Sequence, residues 1–329
     1  MKDANLVVSS SPHLEGEATV SQAMWDVVVA LIPVTLVSIY FFEAYALFVI
    51  SVCVVTACVT ELIFRKLMGK KPSLMDGSAF LTGLLVAMCF SATTPWWRAA
   101  LASFIAIGIA KELMGGLGWN RFNPALFGRV SIILLAPLFT FMSRDFAPWS
   151  ANLGSIDVLT QATPLAMLQQ GTANMPAYAE LFTFFPGGAL SETSALAVLI
   201  GGLYLLYKKH IGWRIPVSIL ATVFLLTLIT GQDPIYHLIS GGLMLGTFFM
   251  ATDWVTSPVT DRGKVVFGIA IGVLVVLFRV YLGPTEGVAF SILIMNACVP
   301  LIERVTRRRA FSDPEPVRRG AAGEVTASQ

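Results

Sequence analysis

Apolar residues in this chain do not alternate with polar ones. They run together for about 17 to 25 residues at a time, the length a helix needs to cross a hydrocarbon layer of about 30 Å. Such runs lie at 25–42, 45–64, 78–93, 97–114, 125–142, 193–207, 213–230, 235–252, 265–282 and 288–302. Lipid offers backbone amides no partners, so runs of this length predict helices rather than barrel strands. The pattern predicts an all-α polytopic membrane protein with about ten transmembrane helices. The long polar connection, 143–192, separates a first five-helix half (24–142) from a second (193–302). A polar arm, 1–23, precedes them, and a basic tail, 303–329, is expected to be disordered.

Five is an odd number, so the second half is expected to enter the bilayer inverted relative to the first. Traces of such a repeat are present: residues 83–95, ending in Ala-Thr93-Thr-Pro95, parallel 242–258, ending in Thr252-Asp253-Trp-Val-Thr256-Ser-Pro258. The third and eighth runs therefore end in Thr, Pro and small residues that free backbone groups, and both are expected to be irregular. Broken ends of this kind survive only against protein or a cavity, which makes them candidate walls of a central site.

Composition and charge sharpen this picture. With 56% hydrophobic and 13% charged residues, the chain is no soluble domain. Its net charge is only +2, but the distribution is lopsided. Arg65, Lys66, Lys70, Lys71, Arg121, Arg129, Lys208, Lys209, Arg214, Arg262, Lys264 and the tail arginines from Arg304 to Arg309 are expected on one side, against Arg98 and Arg144 on the other. Positive residues stay inside, so both termini are predicted cytoplasmic and the loop 143–192 faces outward. The basic tail abuts the last run and reads as a topology anchor, with no nucleic-acid partner. No small-residue cleavage site accompanies the first run, which is expected to remain as an anchor. Cys53, Cys58, Cys89 and Cys298 match no iron–sulfur or zinc spacing and read as small packing residues.

Candidate chemistry concentrates in the outer loop. Thr163 stands immediately before Pro164 and the helix-forming run Leu-Ala-Met-Leu-Gln-Gln, a pattern that reads as an N-cap with proline at the first helical position. The functional alternative is that it carries a covalently attached group. Lys111 and Glu112 close the fourth run just before Gly115-Gly-Leu-Gly118; Lys111 is expected to snorkel, with an ion path or subunit contact as the functional alternative. Asn120-Arg121-Phe-Asn123-Pro124 reads as a re-entrant cap or a plain turn. Asp253 reads as a helix-end hydrogen-bond partner or a cation ligand, without metal spacing around it. His13, His210 and His237 do not cluster: His210 is expected to be solvated and His237 to pack at an interface. No catalytic side chain is identified, and no metal site.

Asp157-x-x-Thr160-x-Ala162-Thr163 resembles the sequence at which a flavin transferase attaches FMN to the final Thr through a phosphoester, although Gln161 stands where Gly is common. Gly115-Gly-Leu-Gly-Trp-Asn120-Arg121-Phe-Asn123-Pro124, Phe185-Pro-Gly-Gly with Glu192-Thr-Ser-Ala, Met250-Ala-Thr-Asp253 and Glu286-Gly-Val-Ala-Phe-Ser with Asn296 are similar, in order, to segments of the RnfD family, the D subunits of Rnf electron transport complexes. That family is related to NqrB, the B component of the sodium-pumping NADH:quinone oxidoreductase. The resemblance covers about 24–302 and implies a component of an ion-translocating ferredoxin:NAD oxidoreductase in the bacterial inner membrane. It implies covalent FMN on Thr163 on the periplasmic side, with Asp157, Thr160 and Ala162 recognised by the transferase. It further implies a noncovalent riboflavin, coupling to Na⁺ or H⁺, and partner subunits A, B, C, E and the flavin-bearing G. Two other classes compete: a secondary transporter or channel built from inverted repeats, and a scaffold for other redox subunits.

Overall fold

The computed structural model describes residues 19–71, 73–142, 164–170, 176–185, 187–282 and 287–306. Among them, regular structure is helical throughout. Asp157, Thr160, Ala162 and Thr163 lie outside the described residues.

Helix α1 (Val20–Leu67) starts where the Thr19 hydroxyl accepts from the Gln22 amide. It reverses at Glu43, the polar break between the first two apolar runs, with φ 48° and ψ −128°. The result is a hairpin: Ser21 donates to the Met75 carbonyl, and Ser73 in turn donates to Glu61, so residues 21 and 61 lie at one end. A tight turn (Leu74–Asp76) then leads to α2 (Ser78–Met88). Next come α3 (Trp96–Phe104), prolonged as a π-helix over Ile105–Glu112, and α4 (Pro124–Met142). The short helices α5 (Pro164–Gln170) and α6 (Tyr178–Thr183) precede the second half. That half comprises α7 (Ala195–Tyr207), α8 (Arg214–Ile229), α9 (Pro234–Ile239), α10 (Leu243–Leu245), α11 (Asp261–Leu277) and α12 (Gly287–Thr306). Wider π-helical turns prolong α10 over Gly246–Met250 and α11 over Phe278–Leu282.

Two of these helices are too short to cross a bilayer. At 1.5 Å per residue α2 spans about 16 Å and α10 with its extension about 12 Å. Each begins at a left-handed glycine, Gly77 (φ 76°) and Gly242 (φ 64°), where a side chain would be strained. They start from opposite ends of the bundle. Gly77 lies against Trp25 at the end that holds Lys111, whereas Gly241 lies against Arg279 and Leu165 at the other end. This is the relation expected of two inverted halves, and it places both irregular runs where the hydropathy pattern predicts them. The eighth run is split further than expected, because Gly241 and Gly242 break it between α9 and α10.

Small residues let the helices approach closely, as they do in membranes. A Cβ at Gly201 would come within 2.1 Å of the Ala30 carbonyl, and one at Gly128 within 2.4 Å of the Ala102 carbonyl. Val20–Leu67, Asp261–Tyr281 and Gly287–Thr306 are long and apolar enough to cross a membrane. The molecule is an all-α polytopic membrane protein.

Candidate functional site

Between the two halves, at the end rich in lysine and arginine, lies a cleft. The first half contributes Ser78 and Thr82 of α2, Lys111 and the turn residues Asn120 and Asn123. Phe248, Phe249, Thr252, Asp253 and Trp254 face them from the second half. The broken end of the eighth run, Thr252 to Trp254, lines the cleft as expected, whereas that of the third run, Thr93 to Pro95, lies at the other end of the bundle and the third run contributes its start instead.

Lys111 does not snorkel. It is 2% exposed, and its ammonium donates to Glu61 Oε2 at 2.9 Å and to Ser78 Oγ at 2.6 Å. Arg65 lies 3.3 Å from Glu61 and 3.4 Å from Glu112, so two acids and two bases close a neutral network beside the cleft. Lys111 and Glu112 are adjacent in sequence and take different partners across the helix, which the π-helical turn around them makes possible. A cation at the start of α2 opposes the helix dipole; Glu61 supplies the charge that holds it there.

A second polar seam ties the halves together. Asn123 donates through Nδ2 to the Met250 carbonyl at 3.2 Å, and its Oδ1 caps α4 by accepting from Leu126 N. Asn296 of α12, with its amide set so that donors meet acceptors, donates to the Thr256 carbonyl and accepts from Asn123 N at 3.0 Å. The 120–124 segment is therefore a turn whose Asn123 caps α4, as the plain-turn reading expects, and the same residue also ties α4 to the second half. Asp253 accepts from Thr256 Oγ1 at 3.0 Å and faces the cleft opposite Lys111. Among the described residues no group of three His, Cys, Asp or Glu could hold a metal.

His210 is not solvated, contrary to expectation. Its Nε2 lies 2.6 Å from Asp26 Oδ2, while Tyr204 donates to Asp26 Oδ1 and Trp254 donates to the His210 carbonyl. These contacts pin the 251–260 turn over the mouth of the cleft. His237 is buried within the chain, its Nε2 2.6 Å from Gln232 Oε1. Arg129 departs from the predicted charge map: it sits within α4 with its guanidinium over the Phe90 ring, away from the basic end.

Glu61, Asp26 and Arg279 were not singled out by sequence. Arg279 is 2% exposed and donates to the carbonyls of His237, Ser240 and Gly241, holding the glycine pair that starts α10. A signal was present, since Glu61 is the one acid in its apolar run and Arg279 the one charge in its run. An isolated charge at membrane depth calls for a partner.

Two opposed bundles, each sending a half-helix to a shared cleft, define a membrane protein of the broken-helix class, whose sites lie at the interface of the repeats. The sequence profile of the NQR2, RnfD, RnfE family matches residues 7–312, and the chain belongs to that family. It is 44% identical over 314 residues to the D subunit of the Na(+)-translocating ferredoxin:NAD(+) oxidoreductase complex of Acetobacterium woodii, covering 94% of this chain and 96% of that one. It is 42% identical to the D subunit of the proton-translocating ferredoxin:NAD(+) oxidoreductase complex of Clostridium ljungdahlii, over 92% of this chain and 95% of that protein. A third relative, the D subunit of the ion-translocating oxidoreductase complex of Stutzerimonas stutzeri, is 38% identical over 89% of this chain and 92% of its own length.

Proposed function

We propose that this chain is the D subunit of an ion-translocating ferredoxin:NAD oxidoreductase, carrying FMN esterified to Thr163 and a noncovalent riboflavin in the cleft. The observation that carries the reading is near full-length similarity to proteins named as that subunit. Its partners are the remaining subunits of the complex, A, B, C, E and G, with a flavin transferase acting in maturation. Bound flavin supplies reversible acceptance and donation of electrons.

The chain's own residues supply attachment, orientation and shielding. The Thr163 hydroxyl takes the phosphoester, and Asp157, Thr160 and Ala162 seat the loop in the transferase. The segment that follows is anchored: α5 begins at Pro164, and Leu165 is 1% exposed against Gly241. In the cleft, Phe248, Phe249 and Trp254 offer apolar faces to a flat ring. The Asn120 Oδ1, buried and without a hydrogen-bond partner, can accept from an imide N–H. These residues fit an isoalloxazine. By the distribution of positive charge the cleft opens toward the cytoplasm and the Thr163 loop faces the periplasm. Relatives of nearly equal identity are named for sodium and for protons. Overall similarity therefore does not select the ion.

The test is a denaturing gel of the chain coexpressed with a flavin transferase, with Thr163→Ala beside it. Ultraviolet fluorescence that survives denaturation and disappears in Thr163→Ala supports the covalent redox subunit. Absence of fluorescence in both returns Thr163 to a cap and favours the transporter.

A further inference from the structure

Lys111 lines the cleft between the halves, and its ammonium is held from behind. Glu61, 0% exposed, accepts one of its N–H bonds at 2.9 Å, and Ser78 Oγ accepts another at 2.6 Å. Asp76 Oδ1 takes both the Ser78 amide at 2.8 Å and the Ser78 hydroxyl at 2.6 Å. The Ser78 oxygen is thereby turned into an acceptor for Lys111. An ammonium has three N–H donors, so one remains for the occupant of the cleft. We infer that Glu61 is a positioning residue: by fixing Lys111 in the cleft wall and offsetting its charge, it sets the reduction potential of the flavin bound there. The inference rests on the reading of the cleft as a flavin site.

The argument is one of sign. Each electron that reaches a bound ring adds one negative charge unless a proton from water follows it. An ammonium in the wall favours that charge, and a carboxylate behind the ammonium opposes it. Both groups are buried, so solvent screens them little. Other ionisable groups nearby leave the pair distinct. Arg65 and Glu112 complete the network, Asp253 lines the cleft from the second half, and His210 pairs with Asp26. Loss of the Lys111 charge and loss of the Glu61 charge should therefore move the potential in opposite directions, which damaged packing does not do.

The test is spectroelectrochemical titration of the full-length chain carrying Thr163→Ala, which lacks the attachment hydroxyl, with riboflavin bound. The reduced-to-oxidised ratio is read from flavin absorbance at one applied potential, near the midpoint of this parent. Adding Lys111→Met should lower the ratio about tenfold, and adding Glu61→Gln should raise it about tenfold. Glu61→Asp, which keeps the charge, and the double Glu61→Gln/Lys111→Met should both stay near the parent. Lys111→Met leaves Glu61 paired with Arg65 at 3.3 Å, so this variant carries the test even where Glu61→Gln fails to fold. An unchanged ratio in Lys111→Met, or shifts of the same sign in Lys111→Met and Glu61→Gln, overturns the inference and leaves the flavin reading standing. No riboflavin bound by the Thr163→Ala parent overturns the reading of the cleft and this inference with it.

Discussion

Glu61 accepts from Lys111 and Ser73 and pairs with Arg65 at 3.3 Å, so its loss leaves a buried ammonium without its charge partner. Breaking a buried pair from one side costs about 3–5 kcal/mol, whereas removing both charges together costs far less. Glu61→Gln should therefore lower the melting temperature of the purified chain more than Glu61→Gln with Lys111→Met, and equal losses would refute the pairing. Outside the membrane-spanning segments, Tyr178 donates to Asp233, whose other oxygen caps α9 through Ile235 N at 3.0 Å. The hydrogen bond to Asp233 pushes the Tyr178 phenol above its ordinary value of 10.0. A folded-state pKa raised in this way contributes stability that is complete below pH 10 and is lost as pH climbs through the folded value. Absorbance titration should show the Tyr178 phenol ionising at lower pH in Asp233→Asn than in wild type.

At the scale of elements, the half-helices and their π-helical neighbours depend on close backbone approach. The α1–α7 contact admits nothing larger than glycine at position 201. Gly201→Val should destabilise by about 3 kcal/mol through overpacking, while Gly212→Val, whose Cβ would meet no atom within 4 Å, should be neutral in the same detergent melt. The helix starts and stops were legible where the chemistry is local. Glu43 interrupts a run, Thr19 caps, and proline opens α4, α5 and α9. What could not be read was the pairing of Lys111 with a residue fifty positions earlier, or of Asn123 with Asn296. Such partners are set by which helices meet, and period and composition do not encode that.

For the whole molecule, the proposed role makes two demands. Thr163→Ala should allow the complex to assemble while electron flux from ferredoxin to NAD is lost; retained flux would favour a scaffold. Orientation is tested in intact cells, in a cysteine-free background, with a membrane-impermeant maleimide. Ala179→Cys should label from outside and Lys209→Cys only after lysis, and the reverse would invert the topology. The sequence by itself determined the helical membrane class, the ordering of apolar runs around the 143–192 connection, and the two irregular runs, because lipid imposes length and hydrophobicity on each segment independently. The resemblance of 157–163 to a flavin-attachment sequence also marked Thr163 as the residue to test. Only the tertiary structure decided that Lys111 is buried against Glu61 and that His210 latches onto Asp26. Those outcomes arise from charges and amides that must find partners once water is excluded, and the partners come from distant parts of the chain.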